Sequence, residues 1–336
     1  MGPSNYLGRS WQGAPIFITV EGANILSRNL MIFGQGAIRC HPYVLKEMAL
    51  AGREDRDQAL LEFDDLLMQH IGFAVSNAAS TLILSLSMGL LGKVPGDRIS
   101  RPYFRALNRL SAAFAMLADL SMMLLGGELK RRERLSARLG DVLSHLYLAS
   151  AALKRYHDQD YPEHVRPLLH WALEESLGKA ETAIDALLSN FPNRLLGSAL
   201  RVLVFPFGRR HQGPDDHLDA QVAAIIGRNA GDPALEELLE GCFRPTSTDD
   251  PVGALQHALN LLQEAAPLQK KLYKAVKAGQ VRETPGQNEI ETAVAAGVLS
   301  AEEGQQLQRA EQARRVVIDV DDFSKEELLP NEGKVR

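Results

Sequence analysis

The sequence predicts an all-α protein, and three observations carry that reading. Apolar residues recur at helical spacing through most of the 336 residues. Strand signals are confined to one short β-branched run, Ala14 to Val20, which ends at Glu21-Gly22. The long periodic segments are joined by short turn-forming stretches, which makes sequential helices antiparallel neighbours in a bundle.

Taken in order, Ile25, Leu26, Leu30, Ile32 and Phe33 make a short amphipathic helix, with Asn24 or Ser27 near its start. Gly34-Gln35-Gly36 interrupts it, and Pro42 opens a further helix, Tyr43 to Leu50. Long helices follow at about Asp55–Leu91, Pro102–Leu125, Leu129–Tyr156 and Pro162–Ser189. Gly126-Gly127 and Asp158 to Pro162 are the turns between them. The stretch Ile71 to Leu91 carries no charge and nearly reaches bilayer length. Its small polar residues (Ser76, Asn77, Ser80, Thr81, Ser85, Ser87) favour a buried bundle helix instead.

Phe191 to Arg194 ends the bundle. Leu195 to Arg210 is then apolar, broken by Pro206 and closed by a basic pair. It suits either a buried connector or a membrane-surface contact through Arg201, Arg209 and Arg210. The connector is preferred, because one short segment gives weak membrane affinity by itself. The tail reads as shorter helices at Ala220–Arg228, Pro233–Leu239, Pro251–Lys277, Glu289–Ala296 and Ala301–Val317. Ser300 to Glu303 forms a capping box, and Asp319 to Arg336 is polar and acidic.

Composition narrows the function. The net charge of −5 argues against nucleic-acid binding, which needs a basic face. The two cysteines, Cys40 and Cys242, form neither a CxxC nor a zinc spacing. His157, Asp158, Asp160 and His164, with His170 further on, match no standard metal site, and a solvated loop accounts for the cluster. GQGAIR lacks the third glycine of a dinucleotide fingerprint. The first residues have neither the basic nor the apolar region of a signal peptide, and Pro3 gives Gly2 little support as a myristoylation site. Glu21 is then a single carboxylate at a strand-to-helix junction, where the helix macrodipole favours an acid.

The string TVEGANILSRNLMIFGQGAIRCHPYVLKEM (Thr19 to Met48) resembles the acyl-CoA dehydrogenases, most closely the long bacterial type. In that family a Glu-Gly-Thr tripeptide precedes the last helix of the catalytic bundle, with an arginine seven residues after the glutamate. Glu21, Gly22 and Arg28 match; Ala23 stands where the common pattern has threonine, and Val20 where it has an aromatic residue. RPLLHWAL (Arg166 to Leu173), NFPNR (Asn190 to Arg194), LRVLVFPFGRR (Leu200 to Arg210) and RRVVIDVDDF (Arg314 to Phe323) resemble the same subgroup's extra C-terminal region.

The resemblance implies that Glu21 takes the pro-R α-proton of an acyl-CoA while the β-hydride goes to N5 of FAD, giving the trans-2-enoyl-CoA. It implies Gly22, Ala23 and Asn24 as flavin-side contacts, and Arg28 as support for the active site or a subunit interface. An electron-transferring flavoprotein and a homodimer are the implied partners. The implied setting is β-oxidation of medium or long chains in the cytoplasm, with peripheral inner-membrane contact as a further option. It divides the chain into residues 1–52 (the end of the catalytic bundle with the base-bearing loop), 53–194 (a helical bundle) and 195–336 (a helical region with an acidic tail). Because the chain starts close to the glutamate, the resemblance also implies a fragment with neither FAD nor activity alone; a yellow purified protein would contradict that. A non-catalytic helical module for dimerisation or membrane docking is the alternative of a different class.

Overall fold

The computed structural model describes residues 6–17, 35–227, 232–281 and 288–319. Glu21, Gly22, Ala23, Asn24 and Arg28 lie outside the described residues. Among the described residues there is no strand, and the fold is all-α. In the run Ala14 to Val20, Ala14 is a turn, residues 15–17 are helical, and residues 18–20 lie outside the described residues. The strand reading of residues 15–17 is therefore wrong: a β-branched run forms a strand only against a partner ladder, and no segment among the described residues supplies one.

The chain divides into two compact units, one of Thr19–Ala224 and one of Met1–Ile18 with Ile225–Arg336. The first contains α2 (Gly36–Cys40), α3 (Val44–Ala51), α4 (Arg56–Leu86), α5 (Arg101–Leu125), α6 (Glu128–Arg131), α7 (Glu133–Asp158), α8 (Arg166–Ser189) and α9 (Arg194–Val204), whereas α1 (Tyr6–Gly13) belongs to the second. Helix α10 (Asp216–Ile226) follows.

The core of the first unit follows from periodicity. On α7, Leu135, Leu139, Val142, Leu146, Ala149, Leu153 and Tyr156 are all buried. Their spacing alternates four and three, which lines one face of a helix. Leu169, Leu173, Leu177, Ala180, Ile184 and Leu187 do the same on α8, and the two helices pack along each other. Leu107, Leu110, Ala113 and Leu117 add the face of α5. Burying each of these leucines contributes about 1.5–3 kcal/mol.

Helix α4 ends earlier than periodicity suggests. Met88 and Gly89 turn left-handed, with φ of 55° and 75°. A Cβ on Gly89 would also stand 2.8 Å from the Arg105 carbonyl oxygen, so glycine is required there. A second departure concerns burial. By length and composition α4 and α5 are both apolar enough to cross a membrane, but 44% of the apolar stretch of α5 is buried and only 6% of that of α4. The buried-helix reading of Ile71 to Leu91 is thus corrected: α4 packs on α5 through Thr81, Ser85 and their neighbours, and its other face is open.

Helix α9 buries one side of the Leu195 to Arg210 segment within the first unit and leaves Leu195, Val202 and Phe207 exposed. Asn193 caps it by accepting from the Leu196 N–H at 3.1 Å. Leu200, Val204 and Phe205 are buried against the bundle. Gly197 permits the approach, since a Cβ there would sit 2.5 Å from the Leu188 carbonyl oxygen and 3.0 Å from Phe191 Cβ. Gly197→Ala is expected to lower stability by about 1–3 kcal/mol through overpacking, read as a lower urea midpoint at unchanged m.

The second unit is built on α11 (Pro233–Leu238), α12 (Pro251–Lys277), α13 (Glu289–Ala295) and α14 (Ala301–Ile318). Helix α14 packs along α12 over a small core of Ala265, Ala275, Leu307 and Ala310, and α13 packs on α14. The Ser300–Glu303 capping box forms as the sequence reading expected.

Candidate functional site

The described part of the Thr19 to Met48 string begins at Gln35, and it ends in a polar cluster inside the first unit. His41 follows α2 as its C-cap residue, and its Nδ1 accepts from the Tyr43 and Val44 N–H groups at 3.2 Å each. His70 reaches across from α4. Its Nδ1 lies 2.7 Å from Glu47 Oε1 on α3, and its Nε2 lies 3.0 Å from Asp119 Oδ1 on α5. Tyr43 stacks on the His70 ring at 5.2 Å, and Phe73 meets His41 edge-on at 5.7 Å. Three helices are thereby tied at one histidine, directly downstream of the Glu21 segment.

The ligand atoms of His41, His70 and Asp119 lie within 4.8 Å of one another, close enough to consider a metal ion. The chemistry of the donor set opposes it. Two backbone N–H groups on Nδ1 require a lone pair there, so the neutral His41 ring carries its proton on Nε2. The nitrogen that faces Asp119, at 3.6 Å, is therefore a donor rather than a ligand. Both nitrogens of His70 face carboxylates, the arrangement of a protonated ring. The cluster is read as an ion-pair network.

Electrostatics follow that geometry. Burial pulls the His70 pKa down, but hydrogen bonds to Asp119 and Glu47 outweigh it and leave the value raised. The His41 pKa is lowered, first by burial and then by the His70 charge, with Asp119 and Glu47 acting against it. His70 therefore contributes stability that is complete below its ordinary pKa of 6.5 and fades as pH rises through the raised value. His70→Gln is expected to cost about 1–3 kcal/mol at pH 6 and clearly less at pH 9, measured by urea unfolding. An equal loss at both pH values would show that His70 acts only by packing.

A second polar chain links α5, α8 and the segment after α9. Tyr103 donates to Glu174, which leaves its hydroxyl oxygen to meet His170 Nδ1 at 2.8 Å. Glu174 Oε2 also meets His211 Nδ1 at 2.9 Å. Burial raises the Tyr103 pKa, and the Glu174 charge adds to it. His170 thus lies on α8 with a tyrosine partner, and burial lowers its pKa. His157 and Asp158 end α7, whereas Asp160 and His164 lie in the turns after it, so the loop reading holds for the later residues alone. Below this chain Glu181 is fully buried; it accepts from Arg109 Nη2 at 2.5 Å, from the Arg210 N–H at 2.7 Å and from the His211 N–H at 3.0 Å.

These networks tie the helices of the first unit together. The chain matches the family described as acyl-CoA dehydrogenase, C-terminal, bacterial type, over residues 38–323. It belongs to that family. The matched span begins after Glu21, Gly22, Ala23 and Asn24. Acyl-CoA dehydrogenases generally depend on FAD, bind acyl-CoA and are often oligomeric. No solved structure matches the chain.

Proposed function

We propose that the chain serves FAD-dependent oxidation of a medium- or long-chain acyl-CoA to the trans-2-enoyl-CoA, with Glu21 as the base. The observation that supports it is the family match from residue 38 onward, together with Glu21-Gly22 and Arg28 just ahead of it. The α-proton of a thioester is weakly acidic. A carboxylate removes it usefully only when held close and stripped of water, where its pKa rises towards the working pH. Gly22 lets the backbone turn and approach a ligand. Gly22, Ala23 and Asn24 would lie on the flavin side of Glu21, and Arg28 would brace the same segment. FAD, when bound, supplies the hydride acceptor, and an electron-transferring flavoprotein is the proposed onward acceptor.

The test is palmitoyl-CoA-dependent reduction of an artificial electron acceptor by the full chain, co-expressed with the flavin-bearing remainder of a dehydrogenase of this family. Turnover that needs both polypeptides supports the reading. A flavin-loaded complex that binds palmitoyl-CoA and leaves the acceptor oxidised would sink it. The cytoplasm, with peripheral contact at the inner membrane, is the proposed location.

A further inference from the structure

From Leu66 to Gly92 the chain carries no Asp, Glu, Lys or Arg, and most of that run lies on α4. Helices α5, α3 and α9 and the His70 network occupy part of the surface of α4. The remainder presents Leu61, Met68, Val75 and Leu82, spaced by seven and exposed at 71%, 67%, 63% and 43%. Large apolar residues at that spacing are what a helix shows to another helix along a shared seam. Ile71 and Leu86 extend the same open face.

Gly72 sits in the middle of it. A Cβ there would meet nothing within 4 Å. A glycine inside an exposed helix costs about 0.5–1 kcal/mol relative to alanine, and no contact among the described residues requires it. A second backbone approaching closely at that point would.

We propose that this face docks a second copy of the chain, α4 running antiparallel to its counterpart, with the two-fold axis beside Ile71 and Gly72. In that register Leu61 faces Leu82 of the other copy, Met68 faces Val75, and Ile71 fills the gap left by Gly72. The seven-residue spacing reads the same from either end, as a two-fold interface demands. Charge selects the direction. Asp57, Glu62, Asp64 and Asp65 all lie in the first third of α4. A parallel pair would set them beside their own copies, whereas the antiparallel pair sets them against the uncharged end and opposes the macrodipoles. The acidic flank also disfavours a lipid surface, for which a Lys/Arg-rich polar face is the usual signature. Six seam side chains from each copy, at about 100 Å² apiece, bury roughly 1,200 Å², the lower end of what a stable dimer needs.

The experiment uses the full chain with Cys40 and Cys242, both exposed, replaced by serine. Leu61→Cys and Leu82→Cys chains are oxidised separately and after mixing. The antiparallel register gives a disulfide-linked pair only in the mixture; linkage of Leu61→Cys chains to each other would overturn it. By sedimentation equilibrium the parent chain should be a dimer, and Met68→Glu should weaken it by about 30-fold or more with helix content unchanged. Gly72→Leu should do the same. A parent chain that stays monomeric at tens of micromolar would defeat the proposal, as would a dimer indifferent to Met68→Glu. A monomer that instead pellets with anionic phospholipid vesicles would assign the face to lipid.

Discussion

Arg109→Met is expected to destabilise the first unit by about 3–5 kcal/mol, the largest stability loss anticipated for a single side chain here. Arg109 is 5% exposed and Glu181 is 0% exposed, so their ion pair is cut off from water. Methionine keeps most of the volume and removes the charge. The Glu181 carboxylate would then be left with two backbone N–H groups, those of Arg210 and His211, as its remaining partners. Those two bonds fasten the segment after α9 to α8, where Gly178 allows close contact: a Cβ there would lie 2.7 Å from the Gly213 nitrogen. The matched control is Arg201→Met. Its pair with Asp185 at 2.9 Å is partly solvated, with side chains 53% and 24% exposed, and should contribute at most about 1 kcal/mol. Urea midpoints of the two variants decide the matter. If Arg109→Met costs no more than Arg201→Met, Glu181 has a second counter-charge.

Local chemistry is what could be read from the sequence. The Pro251–Lys277 helix runs as the sequence reading has it, and in the structure Asp250 caps it ahead of a proline at the first helical position. The Ser300–Glu303 box was legible for the same reason. Partnerships across the chain were not. His70 stands 23 residues from Glu47 and 49 from Asp119, and no spacing rule links them. An ionisable residue amid an apolar run, as His70 is in LLMQHIGF and Asp119 is in AMLADLSM, is the one signal the sequence offers for them. Glu181 is similar, a lone acid on the buried face of α8. The openness of α4 was hidden for a different reason. A core helix and an interface helix carry the same apolar pattern, and only packing separates them. The proposed base stood out through family resemblance alone, since one carboxylate near a helix start has an ordinary electrostatic explanation.

If Glu21 is the base, Glu21→Gln should lower kcat with palmitoyl-CoA by about 10⁴-fold, the upper end of what a positioned base contributes. Glutamine keeps the size and hydrogen-bonding reach of glutamate but accepts no proton at working pH. KM should therefore change little, which marks an interaction made in the transition state rather than in substrate binding. Glu21→Asp keeps the carboxylate and withdraws it by one methylene. A displacement of about 1 Å costs roughly 10²-fold, so this variant should fall between the parent and Glu21→Gln. The pH profile adds an independent sign. Burial under substrate raises a carboxylate pKa, so kcat should decline as pH falls through that raised value, and the decline should vanish in Glu21→Gln. Flavin absorbance is measured in every variant, because a lost cofactor would also abolish turnover. A Glu21→Gln enzyme that retains its flavin and turns over at the parent rate would remove Glu21 from the chemistry.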